Sequence, residues 1–224
     1  MCGRIRQGND PDEYFATIFT NMRKVFDVDP GLRFNVPPGS EPMVIHELAS
    51  TRTVERQFWG YKPVWYKRKP VINARLDKIV AGSKFWAPLL EHGRMIVPAD
   101  GWFEWTGEKP NKQPWFIRPV DGQPILMATI AAWKEGAEPG EQHGFAIVTD
   151  DSAGGMVDVH DRRPVVLTPE HAREWLDPDT TVDQAKELLS VARPESAFEW
   201  YEVTRKVGNS RYQGDDVAEP VRNQ

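Results

Sequence analysis

Hydrophobic and polar positions follow two different periods along this chain, and the changes of period mark out its parts. Tyr14, Phe15, Ile18, Phe19 and Met22 keep one apolar stripe at helical spacing. Asp10 as cap, Pro11 in the first turn and Glu13 three residues past the cap give that helix a capping-box start. Near the other end, Thr168-Pro169-Glu170 predicts a short helix through Trp175 that Pro178 stops. Thr181 with Gln184 predicts another through Leu189. Between them lie short β-rich runs: Gln57-Phe58-Trp59, Arg94 to Val97, Trp102 to Trp105, Pro114 to Ile117, Ile125 to Ala128, Phe145 to Thr149, and Pro164 to Leu167. Turn residues separate these runs, and no regular strand-helix alternation is visible. The expected fold class is therefore α+β, a single domain with a mixed, barrel-like β core flanked by short helices. We place the domain at residues 1–214 and expect a disordered tail at 215–224.

Composition narrows the functional classes. The 224 residues are enough for one well-buried domain, and a 40% hydrophobic fraction with nine tryptophans fits a soluble globular protein. No stretch approaches the roughly 18 apolar residues of a membrane span, and no signal-peptide apolar region is visible, so a cytoplasmic protein is expected. A single cysteine leaves no intramolecular disulfide and no multi-cysteine zinc site. The net charge of -5 speaks against a uniformly basic nucleic-acid binder. Its positives are gathered, however: Lys62, Lys67, Arg68, Lys69, Arg75, Lys78 and Lys84 crowd a segment whose only acid is Asp77. A solvated loop would carry such a run, but Trp65 and Tyr66 interleave it, and aromatic-plus-basic is a composition that single strands favour.

Four segments place polar groups where chemistry is possible. In Met1-Cys2-Gly3-Arg4, trimming of the initiator methionine is expected to leave Cys2 with its thiol and α-amine on adjacent carbons. Both groups have accessible nucleophilic forms near neutral pH at their reference pKa values. A 1,2-aminothiol condenses with an aldehyde through the amine and closes through the thiol to a thiazolidine; the amine can also serve the thiol as a base. Asn73 follows two β-branched residues, a position where asparagine also forms turns. Glu104 lies in Asp100-Gly101-Trp102-Phe103-Glu104-Trp105. Asp100-Gly101 there reads as a turn, with Trp102 and Glu104 on one face and Phe103 and Trp105 on the other. A carboxyl among aromatics is poorly solvated, so its pKa is expected to rise into the general acid-base range. His160 stands among charged residues in Val157-Asp158-Val159-His160-Asp161-Arg162-Arg163-Pro164, where an imidazole would titrate near neutral pH. No spacing supports a metal site, and Gly154-Gly155 lacks a phosphate-loop frame, so neither metal nor cofactor is expected.

In this order the segments resemble the SRAP family (SOS response-associated peptidase), whose members process abasic sites in DNA. The matching pieces are Met1-Cys2-Gly3-Arg4, Phe34-Asn35-Val36-Pro37-Pro38, Trp59-Gly60-Tyr61 with Pro63, Asn73-Ala74-Arg75, Pro98 to Trp105, Lys112 to Ile117, His160 to Pro164, and Val207-Gly208-Asn209. They span nearly the whole chain. The resemblance implies that Cys2 joins covalently to the abasic sugar and that Asn73, Glu104 and His160 share its catalytic pocket. By the same resemblance Arg4, Arg75 and Arg162 hold phosphates, Trp65, Tyr66 and Trp105 stack on unpaired bases, and Asn35 and Pro38 face DNA. The implied partner is single-stranded DNA bearing an abasic site, engaged by a monomer. Members often have Tyr where this chain has Phe34 and Ala where it has Pro37, and some carry a second Trp where it has Tyr66, a change that touches the stacking surface. Three rival readings are a glutamine amidotransferase with an N-terminal cysteine, a thiol peptidase acting on proteins, and a non-enzymatic single-strand binder.

Overall fold

The computed structural model describes residues 2–19, 25–26, 31–49 and 51–221. Among them the strands are β1 (Ile5–Gln7), β2 (Val25–Phe26), β3 (Arg33–Val36), β4 (Met43–His46), β5 (Thr53–Arg56), β6 (Asn73–Arg75), β7 (Arg94–Ala99), β8 (Gly101–Thr106), β9 (Gln113–Pro119), β10 (Ile125–Ala131), β11 (Phe145–Asp151), β12 (Arg162–Pro164), β13 (Val166–Leu167) and β14 (Phe198–Glu202). The helices are α1 (Pro11–Ile18), α2 (Leu76–Val80), α3 (Ala87–His92), α4 (Pro169–Leu176) and α5 (Val182–Ser190). One five-stranded sheet runs β14-β9-β8-β1-β3. The other has nine strands, seven in the order β12-β11-β10-β7-β4-β5-β2, with β13 on β10 and β6 on β11. Most pairings are antiparallel, but β6–β11 and β2–β5 are parallel. The α+β class with a mixed sheet core is therefore present, as two sheets and not as a closed barrel.

Strand alternation sorts the core into layers. In β7, Met95 and Val97 face the space between the sheets while Ile96 faces the helices. In β11, Phe145 and Ile147 face inward and Ala146 and Val148 face the helical side. Trp102 of β8 packs between the sheets, and Phe103 joins Phe116, Val203, Val207 and Val217 on the outer face of the smaller sheet. The helical layer follows its apolar stripes: Tyr14, Phe15 and Ile18 of α1, Trp175 of α4 and Leu188 and Leu189 of α5 are all buried. Met22 lies outside the described residues.

Several local expectations change. Asp10 caps α1 by accepting from Asp12 N at 2.8 Å, with no reciprocal bond from Glu13, whereas Thr181 and Gln184 do form the full capping box of α5. The strand expected at Gln57–Trp59 is Thr53–Arg56 instead, and Trp59 makes only an isolated bridge to Phe145. Asp100-Gly101 is no hairpin turn: β7 and β8 belong to different sheets, and the dipeptide carries the chain from one to the other. Glycine is needed at 101 because a Cβ there would stand 2.3 Å from Ile117 O. The segment from Asp215, read as a disordered tail, instead forms a 3-10 turn over Asp215–Ala218. Val217 is fully buried there, Tyr201 donates to Ala218 O at 3.0 Å, and Val221 N donates to Glu202 O at 2.9 Å. Val217 closes the outer face of β8 and β9, and residues 222–224 of the expected tail lie outside the described residues.

Candidate functional site

The N-terminal segment is placed by strand pairing. Ile5 of β1 pairs with Trp102 of β8, and Phe103 N donates to Arg4 O at 2.9 Å, so the residues ahead of β1 run on past Glu104. Cys2 thereby enters the core between the sheets and is fully buried. On its other side β6 runs parallel to β11, with Asn73 opposite Ile147. Asn73 donates its side-chain amide to Cys2 O at 2.9 Å, while its own Oδ1 is buried without a partner among the described residues. The loop between β11 and β12 delivers the fourth group: His160 Nε2 stands 3.9 Å from Glu104 Oε2. Four residues spread over the chain thus meet at one place.

The electrostatics of the site follow from burial. Glu104 is 3% exposed, and desolvation pushes its carboxyl up to about 7, as the flanking aromatics led us to expect. Desolvation, then the Glu104 charge, raises the Cys2 thiol far above its ordinary range. Burial thus opposes the accessible thiolate expected from the sequence: two acidic groups share one dry volume and disfavour each other's charge. His160 is held below its ordinary value, mainly by burial. Its Nδ1 lies 2.8 Å from Asp161 Oδ1 and 3.0 Å from the Arg162 backbone N. These partners demand opposite states: Arg162 N–H needs an unprotonated Nδ1, and the carboxylate favours a protonated one. The depressed pKa favours the neutral ring, with Nδ1 accepting from Arg162 and the Nε2 proton facing Glu104.

Residues 1–210 match the family described as SOS response associated peptidase (SRAP). The chain belongs to the SRAP family. It is 41% identical over 226 residues to the abasic site processing protein YedK of Escherichia coli (strain K12), covering 99% of this chain and 100% of that one. It is 27% identical over 260 residues to the abasic site processing protein HMCES of Pongo abelii, covering 97% of this chain and 69% of the relative. Among solved structures, a phage-related protein of Bordetella bronchiseptica superposes with a TM-score of 0.84 at 47% identity, over 95% of this chain and 99% of that one.

Beyond these four, the SRAP motifs divide between site and scaffold. Arg4, expected on phosphate, turns inward: its Nη1 donates to Asn35 Oδ1 at 2.6 Å and Val207 O at 2.7 Å, and its guanidinium lies over the Trp105 ring. Asn35 is fully buried, and its amide donates to Val207 O, Asn209 O and Tyr212 O. The second motif and the late Val207-Gly208-Asn209 motif are thus two halves of one polar knot. Asn35 has no atom left for DNA, and Trp105, half-buried under Arg4, packs with Phe103 and Phe116. Pro38 is half-buried.

Arg162 is 8% exposed and donates to Asp151 Oδ1 at 2.6 Å and Thr149 O at 3.0 Å. Arg75 is exposed and pairs with both carboxylate oxygens of Asp77, at 2.9 and 3.0 Å. The Tyr61–Val71 bridge closes the basic loop two residues before Asn73. In that loop Trp65 is 66% exposed, and Trp65 and Tyr66 both lean on Phe85, 5.7 and 5.4 Å between ring centroids. Sequence reasoning missed Phe85 and Asp151; both are ordinary in local pattern, and only the fold brings them to these partners. A cleft of about 400 Å³ lined by Arg6, Asp100, Arg118 and Tyr201 does not include any of the four central residues.

Proposed function

We propose that this SRAP protein captures abasic sites in single-stranded DNA as a covalent thiazolidine on Cys2. The observation that carries the reading is the meeting of Cys2, Asn73, Glu104 and His160 in one desolvated place, with a carboxyl tuned to about 7 beside the thiol. A peptidase or an amidotransferase would also use a nucleophile here. Neither gives a reason for the exposed Trp65, set edge-on against half-buried Tyr66 and Phe85, beside a run of lysines and arginines.

Hydrolytic loss of Met1 frees the Cys2 amine, which is otherwise locked in a peptide bond. An abasic deoxyribose equilibrates between a closed hemiacetal and an open aldehyde. Ring opening moves one proton off the C1′ hydroxyl and delivers one to the ring oxygen; His160 and Glu104 carry these protons. The amine nitrogen then adds to C1′, and the carbinolamine loses water to an imine as protonated Glu104 supplies the proton for the departing hydroxyl. The thiol closes the ring: a C1′–S bond forms, the C=N π pair becomes an N–H bond, and the thiol proton passes through Glu104 to that nitrogen. One water is the only by-product, and no oxidant or cofactor is required. Asn73 fixes the Cys2 carbonyl so that amine and thiol approach one carbon, and such positioning is worth about 7–11 kcal/mol in well-oriented systems. The product has no carbonyl at C1′, so the C2′ protons lose the acidity that drives strand breakage. Arg75 and Arg162 steady the phosphates, and Trp65 and Tyr66 stack on flanking bases. The protein acts as a monomer in the cytoplasm on chromosomal DNA, with lyase-like chemistry.

The test is incubation with a single-stranded oligonucleotide bearing one abasic site, followed by a denaturing gel and intact-mass measurement. The expected product is a heat-stable adduct with the mass of the two partners less one water, lacking Met1. Failure to form it, or an adduct on another residue, overturns the reading.

A further inference from the structure

Glu195 stands outside every motif considered so far, yet it grips the loop that carries His160. That loop leaves β11 and returns to β12, with its stem closed by Ser152 N donating to Asp161 O at 2.9 Å. Inside it a 3-10 turn spans Gly154–Asp158. The Met156 backbone is the hub of this turn: its N donates to Glu195 Oε1 at 3.0 Å, and its carbonyl, in the next peptide, accepts from Val159 N at 3.0 Å and His160 N at 2.9 Å. The Met156 side chain is 1% exposed, in the same core cluster as Cys2. Gly154 has φ +52, and a Cβ there would lie 2.6 Å from Glu195 Oε1, so the carboxylate also fills the space that a side chain would take.

The platform that bears Glu195 is itself braced. Arg193 N donates to Val166 O at 2.8 Å, and Arg163 Nη1 donates to Arg193 O at 2.7 Å, tying the segment to β13 and β12. The second carboxylate oxygen, Oε2, is buried and without a partner among the described residues. A serine or asparagine would close a turn without burying an unpaired oxygen, which is costly in itself. What the carboxylate adds is a strong, rigid acceptor for the Met156 N–H, and the Met156 carbonyl, one Cα further on, holds the start of the His160 backbone.

We infer that Glu195 is a positioning residue for the covalent-capture chemistry, acting through the Met156 backbone to hold His160 against Glu104. This rests on the reading of His160 given under Proposed function. A displacement of about 1 Å at a reacting group can slow chemistry by roughly 10²-fold, so losing this one bond has room to matter.

The experiment is a double-mutant cycle on single-turnover crosslinking, with the wild type, Glu195→Ala, His160→Ala and the double variant, joined by amide hydrogen exchange on the free protein. Residues that act as a unit are non-additive. Glu195→Ala should slow crosslinking by up to roughly 10²-fold alone, yet slow the His160→Ala protein no further. Glu195→Gln keeps an acceptor for Met156 N and should stay near wild type. Exchange at the Met156 amide should accelerate in Glu195→Ala and not in Glu195→Gln. Equal slowing in both backgrounds would mean a general structural role and overturn the inference, as would a Gln variant as slow as the Ala variant. Unchanged Met156 exchange in Glu195→Ala overturns it without reference to DNA. A wild-type protein that forms no adduct overturns the capture reading instead, and the exchange result then decides the latch alone.

Discussion

Asn73 Nδ2 and the Cys2 carbonyl oxygen lie 2.9 Å apart although 71 residues separate them in the chain. The bond spends the donor half of the asparagine on holding residue 2 and leaves its acceptor half, Oδ1, buried and unpartnered. An unpartnered acceptor beside the N-terminus suits the N–H groups of the amine released when Met1 is removed. Replacing Asn73 with Asp keeps the size but loses the donor and adds a charge beside Glu104. That variant should slow crosslinking at least tenfold while single-strand binding holds. Equal loss of both would assign Asn73 to folding alone.

Cys2→Ala should abolish the adduct and leave non-covalent binding to single strands within a few-fold, because phosphate and stacking contacts supply the affinity. Inserting one residue between Met1 and Cys2 should be nearly as damaging, since it moves the free amine away from the thiol. A stable adduct from the extended protein would reject the aminothiol mechanism even with the thiol essential.

Glu104 offers a stability measurement as well as a kinetic one. Burial raises its carboxyl from 4.5 to about 7, so the folded state holds a proton that the unfolded chain releases. The resulting penalty is absent below pH 4.5, grows as pH rises through the window, and is complete above about 7. A shift of this size corresponds to about 3 kcal/mol. Glu104→Gln should therefore melt higher than wild type at pH 8, with the difference shrinking at pH 5, while crosslinking slows by roughly 10²–10⁴-fold. A melting difference that does not depend on pH would reject the raised pKa.

For DNA contacts, the structure selects which charges are worth reversing. Arg75 is exposed, so Arg75→Glu should weaken binding to undamaged single strands and flatten the log-log salt dependence by about 0.7 per lost phosphate contact. Arg162 is 8% exposed beside the exposed Asp151, and reversing it would bury one carboxylate against a like charge, so a glutamine is the informative change there. Glu138 is an exposed control. Glu141 is not, because it pairs with Lys62 of the basic loop at 3.1 Å. Equal effects at Arg75 and Glu138 would mean that net charge governs binding.

Asn35→Ala separates scaffold from interface. It removes one of the two acceptors of Arg4 Nη1 and the side-chain donor to the Asn209 and Tyr212 carbonyls, at about 1–3 kcal/mol for each buried group left without a partner. The melting temperature should fall while the folded protein keeps its affinity for single strands. Loss of affinity at unchanged stability would return Asn35 to the DNA surface. Trp65→Ala should do the reverse: stability nearly unchanged, and binding weaker by about 1–3 kcal/mol per stacked base.

The sequence by itself determined what local pattern can carry. The apolar runs of β7, β10 and β11 announced strands, alternation set Trp102 and Phe103 of β8 on opposite faces, and Thr181 with Gln184 announced a helix start that forms as written. The raised carboxyl of Glu104 was expected from its aromatic neighbours, yet Phe103 and Trp105 lie on the other face of β8, and the burial that raises it belongs to the space between the sheets. Partner choice was not legible. Whether an arginine meets phosphate or a buried asparagine depends on which distant strand passes beside it, and Arg4 and Arg75 look alike until β1 pairs with β8 and buries one of them. The same holds for Cys2: its sequence neighbours leave the thiol in water, and only its insertion between two sheets strips that water away and raises its pKa. Burial is a sum over contacts from the whole fold, so the protonation state of a group and its role as scaffold or site are decided there.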